Sequence, residues 1–202
     1  PQKHDMARRQ RQMCIRDRYY TRTKYTALGQ ESEWSDVTYF VTGQNIYVDD
    51  LFSTYLYSGT SSVQSINNGI DLSGEGGMVW VKSRSDVSDH RIIDTQRGAY
   101  NILTPNSTSA NFNNSTIFSS FSSDGFSVAT DVATNGSGRD YVSWSFRKAP
   151  GFFDVINYTG DCDSSRGIAH ALGTTPGMII IKATNKSYGW AVYHRSVGAG
   201  NK

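Results

Sequence analysis

The sequence predicts an all-β fold, in which two sheets face each other as a sandwich. Ser, Thr, Asn, Gly and Tyr are abundant throughout the chain after residue 18, and this composition favours short strands joined by tight turns over long helices. No window of about 12 residues keeps the i, i+3, i+4, i+7 apolar spacing of an amphipathic helix. Several short segments instead alternate apolar and polar residues, as strands with one buried face do.

Residues 1–18 do not read as natural protein sequence. Arg8–Arg18, RRQRQMCIRDR, is the translation of a transposon-end adaptor used to prepare sequencing libraries. Segments of this kind are excluded before fold is considered. We therefore interpret residues 1–18 as an adaptor-derived artefact, expect no ordered structure there, and regard both ends of the chain as artificial. The alternative is a genuine basic arm that binds nucleic acid or an anionic surface.

Removing this segment reverses the sign of the net charge. The whole chain carries 20 basic and 18 acidic residues, a formal charge of +2, whereas the remainder has 14 and 16, a charge of −2. The remaining basic residues are dispersed, so we expect no nucleic-acid partner. Cys14 lies in the excluded segment, which leaves Cys162 and excludes a disulfide framework or a multi-cysteine zinc site within the remainder. No apolar run approaches the roughly 20 residues that cross a bilayer, so no membrane insertion is expected.

The first segment after the adaptor reads as a hairpin. Tyr19–Tyr25 alternates aromatic and polar residues, Leu28–Gln30 forms the turn, and Val37–Val41 is the second strand. The segments YYTRTKY and SEWSDVTYFVT resemble the last two strands of a fibronectin type III module. The resemblance implies that residues 19–43 are the C-terminal remnant of such a domain, whose upstream strands were lost at the adaptor junction.

An internal repeat at an offset of about one hundred residues organises the rest of the chain. The corresponding pairs are Phe52–Gly59 with Phe153–Gly160, Ile66–Leu72 with Ile168–Leu172, Gly77–Lys82 with Gly177–Lys182, and His90–Ile93 with Trp190–Tyr193. We expect a first-repeat sandwich domain over 44–150 and the truncated start of a second repeat over 151–202. The second repeat either packs with the first in one sandwich or begins a separate one.

Strand signals are clear within both repeats. Met78–Lys82 and Arg91–Asp94 are short strands, and Ile179–Ile181 is apolar on both faces, as expected of a strand buried in a sandwich. Phe118–Phe121 and Phe126–Val128 flank a turn in which Gly125 supplies a positive φ.

The strand Tyr141–Phe146 has two distinct faces. Alternation places Val142, Trp144 and Phe146 on one face, which we predict to be the core face, and Tyr141, Ser143 and Ser145 on the other. The polar stretches 106–114 and 131–138 are predicted to be surface loops.

The sequence offers no convincing catalytic set. His90, Asp94 and Ser107 could form a triad on paper, but no GxSxG motif accompanies them. We therefore expect no enzyme activity and no cofactor.

Calcium binding is a weaker alternative interpretation of two pairs of aspartates. Asp161 with Asp163, and Asp49 with Asp50, could give oxygens to calcium, yet neither pair has EF-hand spacing. Solvated turn carboxylates are the favoured interpretation. His170 and His194 lack ligand-spaced partners.

Aromatic residues near the C-terminus are the candidate ligand-binding set. Tyr188, Trp190 and Tyr193 could stack on a sugar ring while neighbouring Asn and Ser side chains bond its hydroxyls. The alternative is that all three are ordinary core residues of the sandwich.

The segment Val48–Ser196 resembles a domain of unassigned activity that recurs in structural and tail proteins of marine bacteriophages. The segments that carry the likeness are FSTYLYSG, NGIDLSGEGGMVWVKSR, DHRIIDTQRGA, SSFSSDGFSV, YVSWSFRKAPGFFDVINYTG and IAHALGTTPGMIIIK with the later YHRS. The resemblance implies a concanavalin A-like or laminin G-like sandwich, with a tandem of smaller β modules as the competing architecture.

The function implied by this resemblance is that of a virion structural module in a phage tail or tail fibre, with possible adhesion to the host surface. Its partners would be other virion proteins or copies of itself, and a host surface glycan. The alternative is a bacterial secreted or cell-surface protein, either a glycan-binding adhesin or an accessory module of a carbohydrate-active enzyme. Its location would then be an extracellular surface instead of a virion.

Overall fold

The computed structural model describes residues 18–21, 26–27, 30–31, 33, 38–41, 46–162 and 165–198. The chain divides into two compact units, 1–46 and 47–202. Strands are the main regular structure of both, and every strand pair is antiparallel. The predicted all-β fold class is confirmed. Of residues 1–18, which were expected to have no ordered structure, 1–17 lie outside the described residues, and Arg18 is the first residue of a strand.

The described residues of the first unit form two short strand pairs. Its strands are β1 (Arg18–Thr21), β2 (Thr26–Ala27), β3 (Gln30–Glu31) and β4 (Thr38–Val41). β1 pairs with β4, with Arg18 opposite Val41, and β2 pairs with β3. The predicted pairing of the two strands is present, but Gln30, which was predicted to lie in the turn, is in β3, and Leu28 and Gly29 lie outside the described residues.

The second unit begins with a 3-10 turn and contains eleven of the described strands. Its elements are the 3-10 turn Val48–Asp50, β5 (Phe52–Ser58), β6 (Gln64–Asn67), β7 (Gly77–Ser83), β8 (Arg91–Asp94), β9 (Asn101–Ile102), β10 (Phe112–Asn113), β11 (Phe118–Ser122), β12 (Gly125–Val128), α1 (Val132–Asn135), β13 (Asp140–Arg147), β14 (Met178–Ile181) and β15 (Ala191–His194). The two larger sheets have the orders β5-β13-β7-β8 and β11-β12-β6. β9 pairs with β10, and β14 with β15.

The four-stranded and three-stranded sheets form a β-sandwich around one apolar core. Val79 and Val81 of β7 contribute from the first sheet, and Phe118 and Phe126 of β11 and β12 contribute from the second; all four are fully buried. The remaining core residues are Tyr57, Ile66, Ile70, Leu72, Ile93, Ile102, Ile117, Val128 and Tyr141. Burial of such side chains contributes about 1.5–3 kcal/mol each, which makes this cluster the main source of stability.

The predicted core face of β13 was wrong for Trp144 and Phe146, although the third predicted residue, Val142, is buried. Tyr141, Ser143 and Ser145 are fully buried, whereas Trp144 and Phe146 are half-buried on the outer face of the sheet. The two small serines leave room for the large side chains of the opposite sheet, so this face can be buried despite its polarity. On the outer face the aromatic rings cover one another instead, with Phe146 5.0 Å from Phe52 between ring centroids.

The stretch 131–138 is not a surface loop. Asp131 caps α1, since its carboxylate accepts the Ala133 amide hydrogen at 2.7 Å. Thr134 and Asn135 are fully buried. The Asn135 side chain donates to the Ala129 and Ser62 carbonyls and accepts from the Thr60 amide. This short helix is therefore a hydrogen-bonded plug at one end of the sandwich.

The hairpin between β11 and β12 forms as predicted. Ser122 lies opposite Gly125, and Gly125 has a φ of +142°. A Cβ at this position would collide with the carbonyl oxygen of Ile66 in the neighbouring strand β6. Both the backbone conformation and the close approach therefore require glycine.

The second repeat contributes the hairpin β14–β15. The prediction that Ile179–Ile181 is buried was wrong, because these residues are 40%, 51% and 44% exposed. The reason is that, among the described residues, β14 has β15 as its one strand neighbour and no sheet covers either face.

Within the described ranges, no helix is long and apolar enough to span a membrane.

Candidate functional site

The most distinctive polar site is the junction between the two repeats. The indole nitrogen of Trp190 donates to the carbonyl oxygen of Ser107 at 3.0 Å. The backbone N–H of Asn111 donates to the carbonyl oxygen of Thr184 at 2.8 Å. Each bond joins a residue of the first repeat to one of the second. The stretch 106–114 was predicted to be a surface loop. None of its residues is fully buried, although Phe112–Asn113 forms β10, and Ser107 and Asn111 contact the neighbouring repeat.

A polar cleft of about 190 Å³ opens at this junction. It is lined by Gln96, Arg97, Asn101, Asn111, Asn157 and Thr184, so both repeats contribute to it. Amide side chains predominate, and they can both donate and accept hydrogen bonds.

A buried ion pair holds the first-repeat side of the cleft. The side chains of Arg97 and Asp94 are 9% and 5% exposed, with Arg97 Nη2 2.6 Å from Asp94 Oδ2. Arg97 Nη1 also donates to the Asn101 carbonyl and to Asn111 Oδ1. Because Asn111 also donates its backbone N–H to the second repeat, the ion pair holds the loop that makes the junction.

The segment that enters the second repeat is held by Asp154. Its carboxylate accepts from the Lys148 ammonium at 3.0 Å and from the Ala171 amide at 2.8 Å. Burial alone would raise the pKa of Asp154, but the Ala171 hydrogen bond and the Lys148 ammonium outweigh it and lower that pKa. The Gly151 amide also donates to the Leu172 carbonyl. The path of the chain between the repeats is therefore fixed by charge and hydrogen bonds.

The three aromatic residues predicted to bind a ligand occupy different environments. Tyr188 is 65% exposed, Trp190 is half-buried at the repeat junction, and Tyr193 is half-buried opposite Ile179 in β15. Among the described residues, no ring-to-ring contact joins them. Of the three, Tyr188 presents the most exposed ring.

A second aromatic group on the outer face of the four-stranded sheet was not identified from the sequence. Trp80 and Trp144 lie opposite each other in β7 and β13, with ring centroids 5.9 Å apart in an edge-to-face arrangement. Trp80 Nε1 donates to His90 Nδ1 at 2.9 Å. Alternation in both strands predicts that the two indoles share a face, but it does not say that this face points outward.

His90, Asp94 and Ser107, which were considered as a possible catalytic triad, each bond to a different partner. Asp94 is paired with Arg97, His90 accepts from Trp80, and the Ser107 hydroxyl bonds to that of Ser109. Burial lowers the pKa of His90, and the Lys82 ammonium lowers it further, while Asp89 opposes the change. The structure does not bring this set together as a nucleophile with its base.

Two of the carboxylates considered as weaker candidates for calcium make protein contacts. Asp161 pairs with Arg166 at 2.9 Å, and Asp50 accepts the Tyr47 amide at 2.9 Å. Asp163 lies outside the described residues. His170 and His194 each accept an amide two residues onward. Over the described ranges, no group of three or more His, Cys, Asp or Glu side chains could hold a metal ion.

Comparison with known proteins gives a family and nothing closer. No curated protein and no solved structure matches the chain significantly. Because the family model of a domain of unknown function, DUF7483, matches residues 48–202, well over half of the chain, the chain belongs to that family.

Proposed function

We propose that the chain is a non-catalytic structural module, arranged in series with others of its kind, in the tail or tail fibre of a phage virion. The observation that carries the proposal is the direct bonding of consecutive repeats through Trp190 to Ser107 and Asn111 to Thr184. Repeats that bond to their neighbours form a stiff array, whereas repeats on a flexible linker do not. The partners of such a module are other virion proteins and further copies of its own repeat.

The proposed fold within this class is a concanavalin A-like or laminin G-like sandwich. Its support is the pair of facing antiparallel sheets and the position of β13, which pairs with both β5 and β7 inside the four-stranded sheet. For residues 19–43, the pairing of β1 with β4 supports the fibronectin type III remnant.

Immunogold labelling tests the proposed location. Antibodies raised against residues 47–198 would be applied to virions and host cells from a culture that carries the gene. Gold on virion tails is the expected result. Gold confined to the cell envelope would overturn the virion assignment and favour the bacterial surface protein, which a signal peptide or sorting signal encoded in the gene would then support.

Glycan adhesion is the second candidate function. It is favoured by the exposed ring of Tyr188 and by the amide-lined junction cleft beside Asn157 and Asn111. An exposed aromatic face can stack on a sugar ring, and amide groups can bond the hydroxyls of a sugar. A glycan array on residues 19–202 would test this, with Tyr188→Ala as the matched variant. Retention of a glycan that Tyr188→Ala abolishes supports adhesion, and no retention at high protein concentration leaves the structural role alone.

A further inference from the structure

The hairpin of the second repeat reproduces that of the first in every register pair. Met78 faces Asp94 and Val81 faces Arg91 across β7 and β8. One hundred residues later, Met178 faces His194 and Ile181 faces Ala191 across β14 and β15. The two intervening pairs match in the same way.

The local hydrogen bonds of the two hairpins also correspond. Lys82 Nζ donates to carbonyl oxygens one and four residues onward, and Lys182 Nζ does the same. The Arg195 amide donates to Gly177, as the Thr95 amide does to Gly77. The second hairpin therefore has the geometry of the β7–β8 pair of the four-stranded sheet.

The hairpins differ in what covers them. Val79 and Val81 of β7 are fully buried, whereas their counterparts Ile179 and Ile181 are 40% and 44% exposed. In the first repeat β13 pairs with β7 on the side away from β8. Among the described residues of the second repeat, no strand occupies the corresponding side of β14.

A second segment lacks the same partner. In the first repeat, β5 pairs with β13 alone. Its counterpart, 153–159, carries apolar residues at strand spacing but forms no strand, and Ile156 and Tyr158 are 40% and 44% exposed. A strand placed as β13 is placed would pair with both 153–159 and β14.

We propose that the free edge of β14 is a docking site for a strand with the chemistry of β13. That strand has a tryptophan and a phenylalanine on its outer face, as β13 has Trp144 and Phe146. It has small serines on its core face, at the positions that correspond to Ser143 and Ser145. By the +100 register, its tryptophan lies opposite Ile180 and its phenylalanine opposite Met178. Such a strand satisfies the unpaired backbone groups of β14 and covers apolar residues that are otherwise exposed.

A second copy of the chain is a poorer occupant. Pairing two β14 edges would satisfy β14 but leave 153–159 without a partner. The β13 strand of another copy is already paired on both sides, with β5 and β7. The proposal rests on the serial arrangement in the proposed function, but it does not depend on the virion location.

The test appends a copy of Leu103–Ala149 after Lys202, which supplies a strand equivalent to β13 downstream of the second hairpin. The matched control carries Ser143→Pro and Ser145→Pro in the appended copy alone, because proline cannot occupy a central strand. Residue-resolved hydrogen exchange of Met178–Ile181 is the readout. We expect exchange at least about tenfold slower in the appended protein than in the control. Added to the natural chain, a peptide of Asp140–Arg147 should slow the same amides, and a scrambled peptide should not.

Two outcomes would overturn the proposal. One is equal exchange at β14 in the appended protein and its control, with no effect of the peptide. The other is protection of β14 in the natural chain that increases with protein concentration and resists the peptide, which would identify a second copy as the occupant. If exchange at β14 contradicts the proposal in either way while the Trp190 indole N–H and the Asn111 backbone N–H stay protected, the serial-module proposal survives without this inference.

Discussion

The indole N–H of Trp190 bonds the Ser107 carbonyl oxygen at 3.0 Å, 83 residues away in the chain. The equivalent position in the first repeat is His90, which instead accepts from Trp80 within its own hairpin. A tryptophan at this position therefore links the second hairpin to the preceding repeat. Together with the bond from Asn111 to Thr184, this contact joins the second repeat to the first.

Trp190→Phe should loosen the second repeat without unfolding the first. A smaller aromatic ring replaces the indole and the N–H donor is lost, at a cost of about 1 kcal/mol, or roughly fivefold in the opening equilibrium. Limited proteolysis of residues 155–176 should be faster by about that factor. The exposed Tyr188→Phe serves as the control and should leave the cleavage rate unchanged. Equal cleavage of Trp190→Phe and the natural chain would show that the junction bond does not hold the second repeat.

Asn135→Ala should destabilise the first repeat. The substitution leaves the Ala129 and Ser62 carbonyls and the Thr60 amide without their side-chain partner, which costs about 3 kcal/mol. Urea denaturation would measure the change, with the exposed Asn113→Ala as the matched control. A urea midpoint that is no lower than that of the control would mean that the buried Asn135 amide does not stabilise the fold.

Arg97→Met should be more damaging than loss of an exposed ion pair. The Asp94 carboxylate would stay buried without its cation, which costs about 3–5 kcal/mol in the free energy of unfolding. Adding Asp94→Asn to Arg97→Met removes the buried charge, so the double variant should recover part of that loss. If the double variant is less stable than Arg97→Met, buried charge is not the cause.

The Trp80 to His90 hydrogen bond should break as the pH falls. His90 Nδ1 accepts from Trp80, which requires a neutral imidazole, and burial holds its pKa below the ordinary 6.5. Between the folded pKa and 6.5 the unfolded chain binds more protons, so this group reduces stability as the pH falls through that window and has no effect above it. The Trp80 indole N–H resonance should titrate with a midpoint below 6.5. His90→Gln should abolish that titration, and a midpoint above 6.5 would contradict the buried, accepting geometry.

Sequence patterns predicted the strands well and their orientation poorly. β7, β8 and the Gly125 hairpin form where alternation and turn chemistry placed them. Alternation also identified the two faces of β13, but it could not decide which face is buried. Tyr141 and two serines lie on the buried face, whereas Trp144 lies on the outer face and contacts Trp80 edge to face. That choice depends on the shape of the opposite sheet, which is encoded by residues distant in the chain.

The candidate site was predictable in part. Trp190 was identified as important from its residue type, yet its partner, Ser107, lies in a loop whose composition indicated only surface. The buried pair Asp94 and Arg97 was missed, since charged residues at this spacing are usually exposed. Only the fold brings Asn111, Arg97 and Thr184 together.

Hydrogen exchange at two donors tests the serial-module account most directly. The Trp190 indole N–H and the Asn111 amide N–H both cross the repeat junction. If the repeats are fixed to each other, both hydrogens should exchange at least about tenfold more slowly in the natural chain than in an unstructured peptide. Exchange of both at the unstructured rate would show that the second repeat is not held by the first, and would contradict the account.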